Sequence, residues 1–207
     1  MIEGVLRHCT EMAIDRQYVD SHGQSEVAFA FCRLLGFQLL PRLKPIHSQR
    51  LYRPDAASWG AYRHLNPVLS RPIDWDLIRR QYDEMVKYAT ALRLGTAQTE
   101  AILRRFTQHP TYKALTELGK AVKTEFLGRY LHQPDLRREI HEGLNVIEHW
   151  KSANDFVFFG KHGELASNER EDNELSMLAL HLLQNCMVYI NTLMRSRSWG
   201  KRTGATG

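Results

Sequence analysis

Two places in this chain hold polar side chains arranged as if for chemistry. The first is Gln17-Tyr18-Val19-Asp20-Ser21-His22-Gly23-Gln24-Ser25-Glu26, where a short apolar run ends on an acid and turns into an amphipathic segment. An Asp presented by a tight turn at a strand end holds its carboxylate rigidly at a sheet edge, so Asp20 is a candidate for chemistry. The same position suits a helix cap, and Asp20 or Ser21 could serve as one. No His–acid relay is suggested around Ser21, and capping is enough to explain it. The second place is the series His141, Asn145, Glu148, Ser152 and Asp155. Its alternating steps of four and three keep these residues on one helix face, turned either to water or to a site. The series is poor in Lys and Arg and adjoins Trp150 and Phe156-Val157-Phe158-Phe159. A wholly solvated face is not expected to border so much apolar surface.

Hydrophobic periodicity supplies the elements that must position these residues. Ile2, Val5, Leu6 and Cys9 suit one short helix, and Tyr18-Val19 reads as a strand end. Glu26 to Leu35 reads as a helix stopped by Gly36, and Phe37 to Leu40 as a strand closed by Pro41. The order strand, helix, strand is the unit of an α/β sheet, with Asp20 at the end of its first strand. From 42 to 71 prolines break the pattern, and Arg42, Lys44, His47, Arg50, Tyr52, Arg53, Tyr62 and Arg63 interleave charge with aromatic rings. That composition suits phosphate contact and base stacking. A solvated connector accounts for it equally.

After Pro72 the chain reads helical. Asp74 caps a helix running to Leu92, and Gly95 and Thr96 separate it from another over Ala97 to Phe106. His109-Pro110-Thr111 opens a third helix, Pro134 opens a fourth reaching Val157, and Lys161-His162-Gly163 is a turn. A last helix spans about Asn173 to Met194, and the basic, glycine-rich tail 195–207 is expected to be disordered. There are no internal repeats.

Composition bounds the reading. The 207 residues suffice for one large domain, and the apolar (43%) and charged (25%) fractions are those of an ordinary globular protein. No run approaches about eighteen consecutive apolar residues, so no membrane span is expected, and the N-terminus lacks a signal pattern. Cys9, Cys32 and Cys186 form neither a zinc pattern nor a disulfide framework, which suits a reducing cytosol. Cys32 and Cys186 sit among apolar residues and read as core thiols. A net charge of +5 permits nucleic-acid binding without requiring it.

Several of these segments, taken in order, resemble a known family. Tyr18-Val19-Asp20-Ser21-His22-Gly23 with Leu34-Leu35-Gly36-Phe37 and Pro41-Arg42-Leu43 is similar to the second-aspartate block of transposases of the Tn-three family, the class II replicative transposons. Gly143-Leu144-Asn145-Val146-Ile147-Glu148, Phe158-Phe159-Gly160 with Gly163-Glu164-Leu165, and Tyr189-Ile190-Asn191-Thr192 continue it, so that it spans residues 3–194. The resemblance implies part of an RNase H-like core with a DDE set of three carboxylates. Residues 1–72 would be the partial core with its basic loop, 73–133 a helical insertion, and 134–194 helices completing the core. Asp20 would be the second acid and Glu148 the third; Glu142 competes for the third place but lies off the stripe of Asn145 and Glu148.

The implied activity is metal-dependent phosphoryl transfer: cleavage at transposon ends, then joining of the 3′-OH to target DNA. Two Mg²⁺ ions roughly 3.5–4 Å apart stabilise the attacking and leaving oxygens of such displacements. Mg²⁺ takes hard oxygen ligands, so Asp20 and Glu148 are expected as metal ligands and no His or Cys is needed. Arg42, Lys44, Arg50 and Arg53 are the expected DNA contacts, with His22 and Asn145 in support. The intact enzyme would be a bacterial, nucleoid-associated cytoplasmic homo-oligomer with no membrane partner. The family's first catalytic Asp and its end-recognition domains have no counterpart here, Asp15 being too close to Asp20 to substitute. After Met194 the likeness stops, as a frameshift or truncation would leave it. The chain alone is therefore expected to be inactive or impaired. One competing reading is a module that binds DNA, or poisons an intact transposase, without cleaving; another is a plain helical scaffold whose acids are solvated.

Overall fold

Ser25 starts the helix on which the first part of the protein is built. Its hydroxyl oxygen accepts from the backbone N–H of Ala28 at 3.2 Å, and Gly36 ends the helix in the left-handed region at φ 90°. That helix, α2 (Glu26–Leu35), buries Val27, Phe29, Ala30, Phe31, Cys32 and Leu35. Before it come α1 (Ile2–Leu6), β1 (Arg16–Val19) and a 3₁₀ turn (Ser21–Gly23); after it comes β2 (Gln38–Pro41). β1 and β2 pair in parallel from Arg16 opposite Gln38 to Val19 opposite Pro41. The expected strand–helix–strand unit is present, and Ser25 fills the capping role on α2 for which Asp20 and Ser21 had been candidates.

The computed structural model describes residues 2–8, 11–57, 60–97, 108–157 and 167–203. They fall into two compact units, Met1–Asn145 and Val146–Gly207.

In the first unit, α2 packs chiefly on α5 (Pro110–His132). Phe29, Phe126 and Tyr130 form a ladder with successive ring centroids 5.6 Å apart. Close approach depends on Gly119: a Cβ there would lie 1.8 Å from the Glu26 carbonyl oxygen. Around this pair the core takes in Leu39 and Leu40 of β2, Met85 and Leu92, and Leu136, Ile140 and Leu144.

The basic segment is more ordered than a connector. It forms a second parallel pair, β3 (Leu51–Arg53) with β4 (Leu69–Pro72). The Tyr52 N–H donates to Thr124 Oγ1 of α5 at 3.1 Å, tying the pair to the core. Three or four residues with prolines nearby carry little strand signal; the partners that hold them come from elsewhere in the chain. The helix expected from Asp74 to Leu92 is two, α3 (Trp75–Arg80) and α4 (Tyr82–Leu94). They break at Gln81, whose Oε1 accepts from the Thr111 hydroxyl at 2.9 Å. Asp74 does cap, accepting from the Leu77 N–H at 2.9 Å. The helix expected over Ala97–Phe106 and the turn at Lys161-His162-Gly163 lie outside the described residues.

The helix opened by Pro134, α6 (Pro134–Val157), is continuous. Its residues from Val146 on belong to the second unit with α7 (Arg170–Thr203). There Gln184 Nε2 donates to Asn154 Oδ1 at 2.8 Å. Asn173, Ser176, Leu180 and Gln184, at three- and four-residue steps, are the half-buried side of α7. Leu175, Leu178, Leu182 and Tyr189 are each about two-thirds exposed. A disordered tail was expected over 195–207; the helix runs on to Thr203, and 204–207 lie outside the described residues. Arg195, Arg197, Lys201 and Arg202 are good helix formers, and cations at a helix C-terminus complement its dipole. Arg170–Arg197 is also long and apolar enough to cross a membrane by length and composition, an 18-residue stretch within it having a mean hydropathy of 1.2. A count of consecutive apolar residues misses this stretch because Ser176, His181, Gln184, Asn185 and Asn191 interrupt it.

The two described thiols differ. Burial pushes the Cys32 thiol up to about 12. Cys186, expected in a core, is exposed on α7. A thiol reagent near neutral pH is therefore expected to label Cys186 quickly and Cys32 only on unfolding, as peptide mapping of the labelled chain would show.

Candidate active site

Asp20 follows directly on β1, exposed at the strand's C-terminal end. Its carbonyl oxygen accepts from the Gly23 N–H at 3.2 Å, closing the turn that carries His22. The Arg42 N–H donates to the Val19 carbonyl oxygen at 2.8 Å, so Asp20 and Arg42 leave the same end of the sheet. The carboxyl ends of parallel strands are where open α/β sheets bind ligands. Arg42 is half-buried, while Lys44 and Arg50 are exposed beside the 3₁₀ turn Ile46–Ser48.

Arg53 is not placed like the other three. It is buried, 6% exposed, and its guanidinium donates to the carbonyl oxygens of Ser70 (3.1 Å) and Leu69 (3.5 Å). It braces β3 against β4, and its expected role as a DNA contact is corrected on that ground. Desolvating a guanidinium is offset here by those carbonyls, and none of that geometry requires a phosphate.

On α6, His141, Asn145, Glu148 and Ser152 are exposed and Asp155 is half-buried. Asn145 closes the first unit and Glu148 lies in the second. Among the described residues no group of three or more His, Cys, Asp or Glu gathers to hold a metal ion. Asp20 and Glu148 offer hard oxygen donors of the kind Mg²⁺ takes, but two carboxylates are fewer than a two-metal centre uses.

Sequence reasoning passed over the residues that dock α6 on β1. Glu139 Oε1 accepts from Arg16 Nη1 at 2.5 Å and from the Tyr18 hydroxyl at 2.7 Å. The hydrogen bond from Arg16, then that from Tyr18, holds the Glu139 carboxyl below the usual carboxylate range. Burial, and then the bond to Glu139, pushes the Tyr18 hydroxyl up. One turn further on, Gly143 sits against the Tyr18 ring, where a Cβ would meet Cδ2 at 2.9 Å. The available signal was weak: Arg16 and Tyr18 alternate onto one strand face, and Glu139 and Gly143 are four apart on a helix.

Because its folded-state pKa is lowered, Glu139 adds stability above its unfolded value near 4.3. That contribution is lost as pH falls through the folded value. The gap in melting temperature between the wild type and Glu139→Gln is thus expected to close as pH is taken from about 6 to about 3.

The profile of the family described as Tn3 transposase DDE domain matches residues 1–205. The chain belongs to that family. The transposase for transposon Tn1546 of Enterococcus faecium is 30% identical over 99% of this chain and 21% of its own length. The transposase for transposon Tn501 of Pseudomonas aeruginosa is 29% identical over 96% and 20%. That for transposon gamma-delta of Escherichia coli K12 is 30% identical over 99% and 21%. The chain thus spans about a fifth of the length of these relatives. Its described residues are mostly helical, with two small parallel sheets.

Proposed function

We propose that this Tn3-family chain supplies Asp20 and Glu148 as the second and third acids of a DDE centre, and Arg42, Lys44 and Arg50 as contacts to the DNA backbone. The β1–α2–β2 unit is then part of an RNase H-like core, and the helices from Ile73 to about Gln133 are its insertion. The observation that carries the reading is the family match over residues 1–205, which takes in Asp20 at the carboxyl end of a parallel strand. A divalent ion such as Mg²⁺ would supply charge stabilisation at the phosphate and activation of the attacking oxygen.

The protein's own part is positional. The turn Ser21–Gly23 holds the Asp20 carboxylate at the sheet end, and Arg42 beside it offsets phosphate charge. Glu148 would bring a carboxylate from α6, with His22 and Asn145 in support. The remaining acid of the set would come from the rest of a transposase working on DNA as an oligomer in the bacterial cytoplasm. One observation favours a second reading, DNA binding without cleavage: no three metal-ligating side chains gather among the described residues.

Binding of the purified chain to duplex DNA, followed by anisotropy across a salt series, tests the interface. Replacing Arg42, Lys44 and Arg50 together by Ala is expected to reduce the slope of log K against log salt by about 2–3. Arg53→Ala should instead lower the melting temperature. An unchanged slope in the triple variant would remove these residues from the interface. Mg²⁺-dependent nicking that disappears in Asp20→Ala and Glu148→Ala would decide for catalysis over binding alone.

A further inference from the structure

We infer that Glu139 is a positioning residue for Asp20: its carboxylate, gripped by Arg16 and Tyr18 of one strand, fixes the end of β1 that carries the acid. The inference rests on Asp20 being a metal ligand, as proposed above.

A strand as short as Arg16–Val19, paired among the described residues with β2 alone, is weakly restrained about its own axis. Its next turn, Ser21–Gly23, is closed by a backbone bond from the Gly23 N–H to the Asp20 carbonyl oxygen. What fixes the pleat is contact from α6. Arg16 and Tyr18 stand on one face by strand alternation, and both donate to the same oxygen, Glu139 Oε1. A single acceptor shared by two donors two residues apart sets both the height and the rotation of the strand. Gly143 adds a steric stop, since the Tyr18 ring lies where a Cβ would be. Asp20 lies two residues beyond Tyr18, the next position in that alternation.

Packing alone does not call for this arrangement. Leu136, Ile140 and Leu144 already bury the apolar side of α6 in the core, at 6%, 0% and 6% exposure. Glu139 is an added polar grip on the strand that presents the acid. Partners that orient a metal-binding side chain typically change affinity ten- to a hundredfold when removed.

The test is Mn²⁺ binding by the full chain, read from the electron paramagnetic resonance of free Mn²⁺. It is done at a temperature where circular dichroism shows every variant folded. Glu139→Ala is expected to weaken binding about tenfold. Glu139→Gln, which keeps an oxygen to accept both donors, should stay within about threefold of wild type. Asp135→Asn, an exposed acid on the same helix, should leave binding unchanged. A purely structural role would lower the melting temperature of Glu139→Ala and leave the affinity of the folded chain alone, overturning the inference. If Glu139→Ala does not fold, Tyr18→Phe removes one of the two donors, and an affinity equal to wild type overturns the inference in the same way. Asp20→Asn separates the two levels. Lost binding there with unchanged binding in Glu139→Ala refutes positioning alone. Unchanged binding in Asp20→Asn, or none in the wild type, refutes the metal-ligand reading and the positioning with it.

Discussion

Glu117→Ala is expected to destabilise the protein by about 3–5 kcal/mol, the usual cost of stranding one partner of a buried ion pair. Glu117 and Lys120 have side chains only 8% exposed, and Lys120 Nζ donates to Glu117 Oε1 at 2.6 Å. The same oxygen accepts from Arg71 Nη2 at 2.9 Å, and Oε2 accepts from the Asp74 N–H at 3.2 Å. One carboxylate therefore joins α5 to the end of β4 and the start of α3. Removing it leaves an ammonium buried over the Tyr52 ring, 5.4 Å from its centroid, without the carboxylate it donates to. At about 2–4 °C per kcal/mol for a chain this long, the melting temperature should fall by about 6–20 °C. Adding Lys120→Met to the Glu117→Ala background should recover part of the loss, because the uncompensated charge is then gone. A fall of less than about 3 °C in the single variant would show that water reaches Lys120 and that the cluster matters little.

Gly119→Ala should cost about 3 kcal/mol or more, and its sign is the informative part. Inside an exposed helix this exchange stabilises by about 1 kcal/mol, because Ala loses less backbone freedom. Here the new methyl would lie 1.8 Å from the Glu26 carbonyl oxygen, 2.3 Å from its carbon and 2.9 Å from its Cα. Backbone cannot rotate away as a side chain can, so α2 has to lift from α5 along the most extensive helix contact among the described residues. The ladder of Phe29, Phe126 and Tyr130 would open with it. Chemical denaturation would measure the change, and a stabilising result would mean that the two helices do not approach this closely in solution.

The particular residues that could be read beforehand were those whose reasons are local. Gly36 ends α2 because a left-handed cap favours glycine, and Pro110 and Pro134 open helices because a first-turn proline forfeits no hydrogen bond. Asp20 could be found because an acid after a short apolar run is visible in the sequence itself. Arg53, Glu117 and Lys120 could not be placed, since a charged residue in a helical or loop pattern reads as solvated unless its distant partner is known. β3 and β4 were missed for the same reason: Leu51 opposite Leu69 is a long-range pairing of segments with little propensity of their own. The grip of Glu139 on Arg16 and Tyr18 crosses more than a hundred residues of chain.

The exposed leucines of α7 also bear on the fate of the polypeptide in a cell. A helix that is apolar around most of its girth normally lies inside a larger body. Released by itself, this one offers Leu175, Leu178, Leu182, Tyr189 and Met194 to anything that samples hydrophobic segments. Holdase chaperones and degradative proteases do that sampling, and self-association competes with them as concentration rises. The steady-state amount of such a chain would then be governed by turnover more than by synthesis. Polar replacements at Leu178 and Leu182 are expected to lengthen its half-life in a pulse-chase measurement, without altering the first unit's melting.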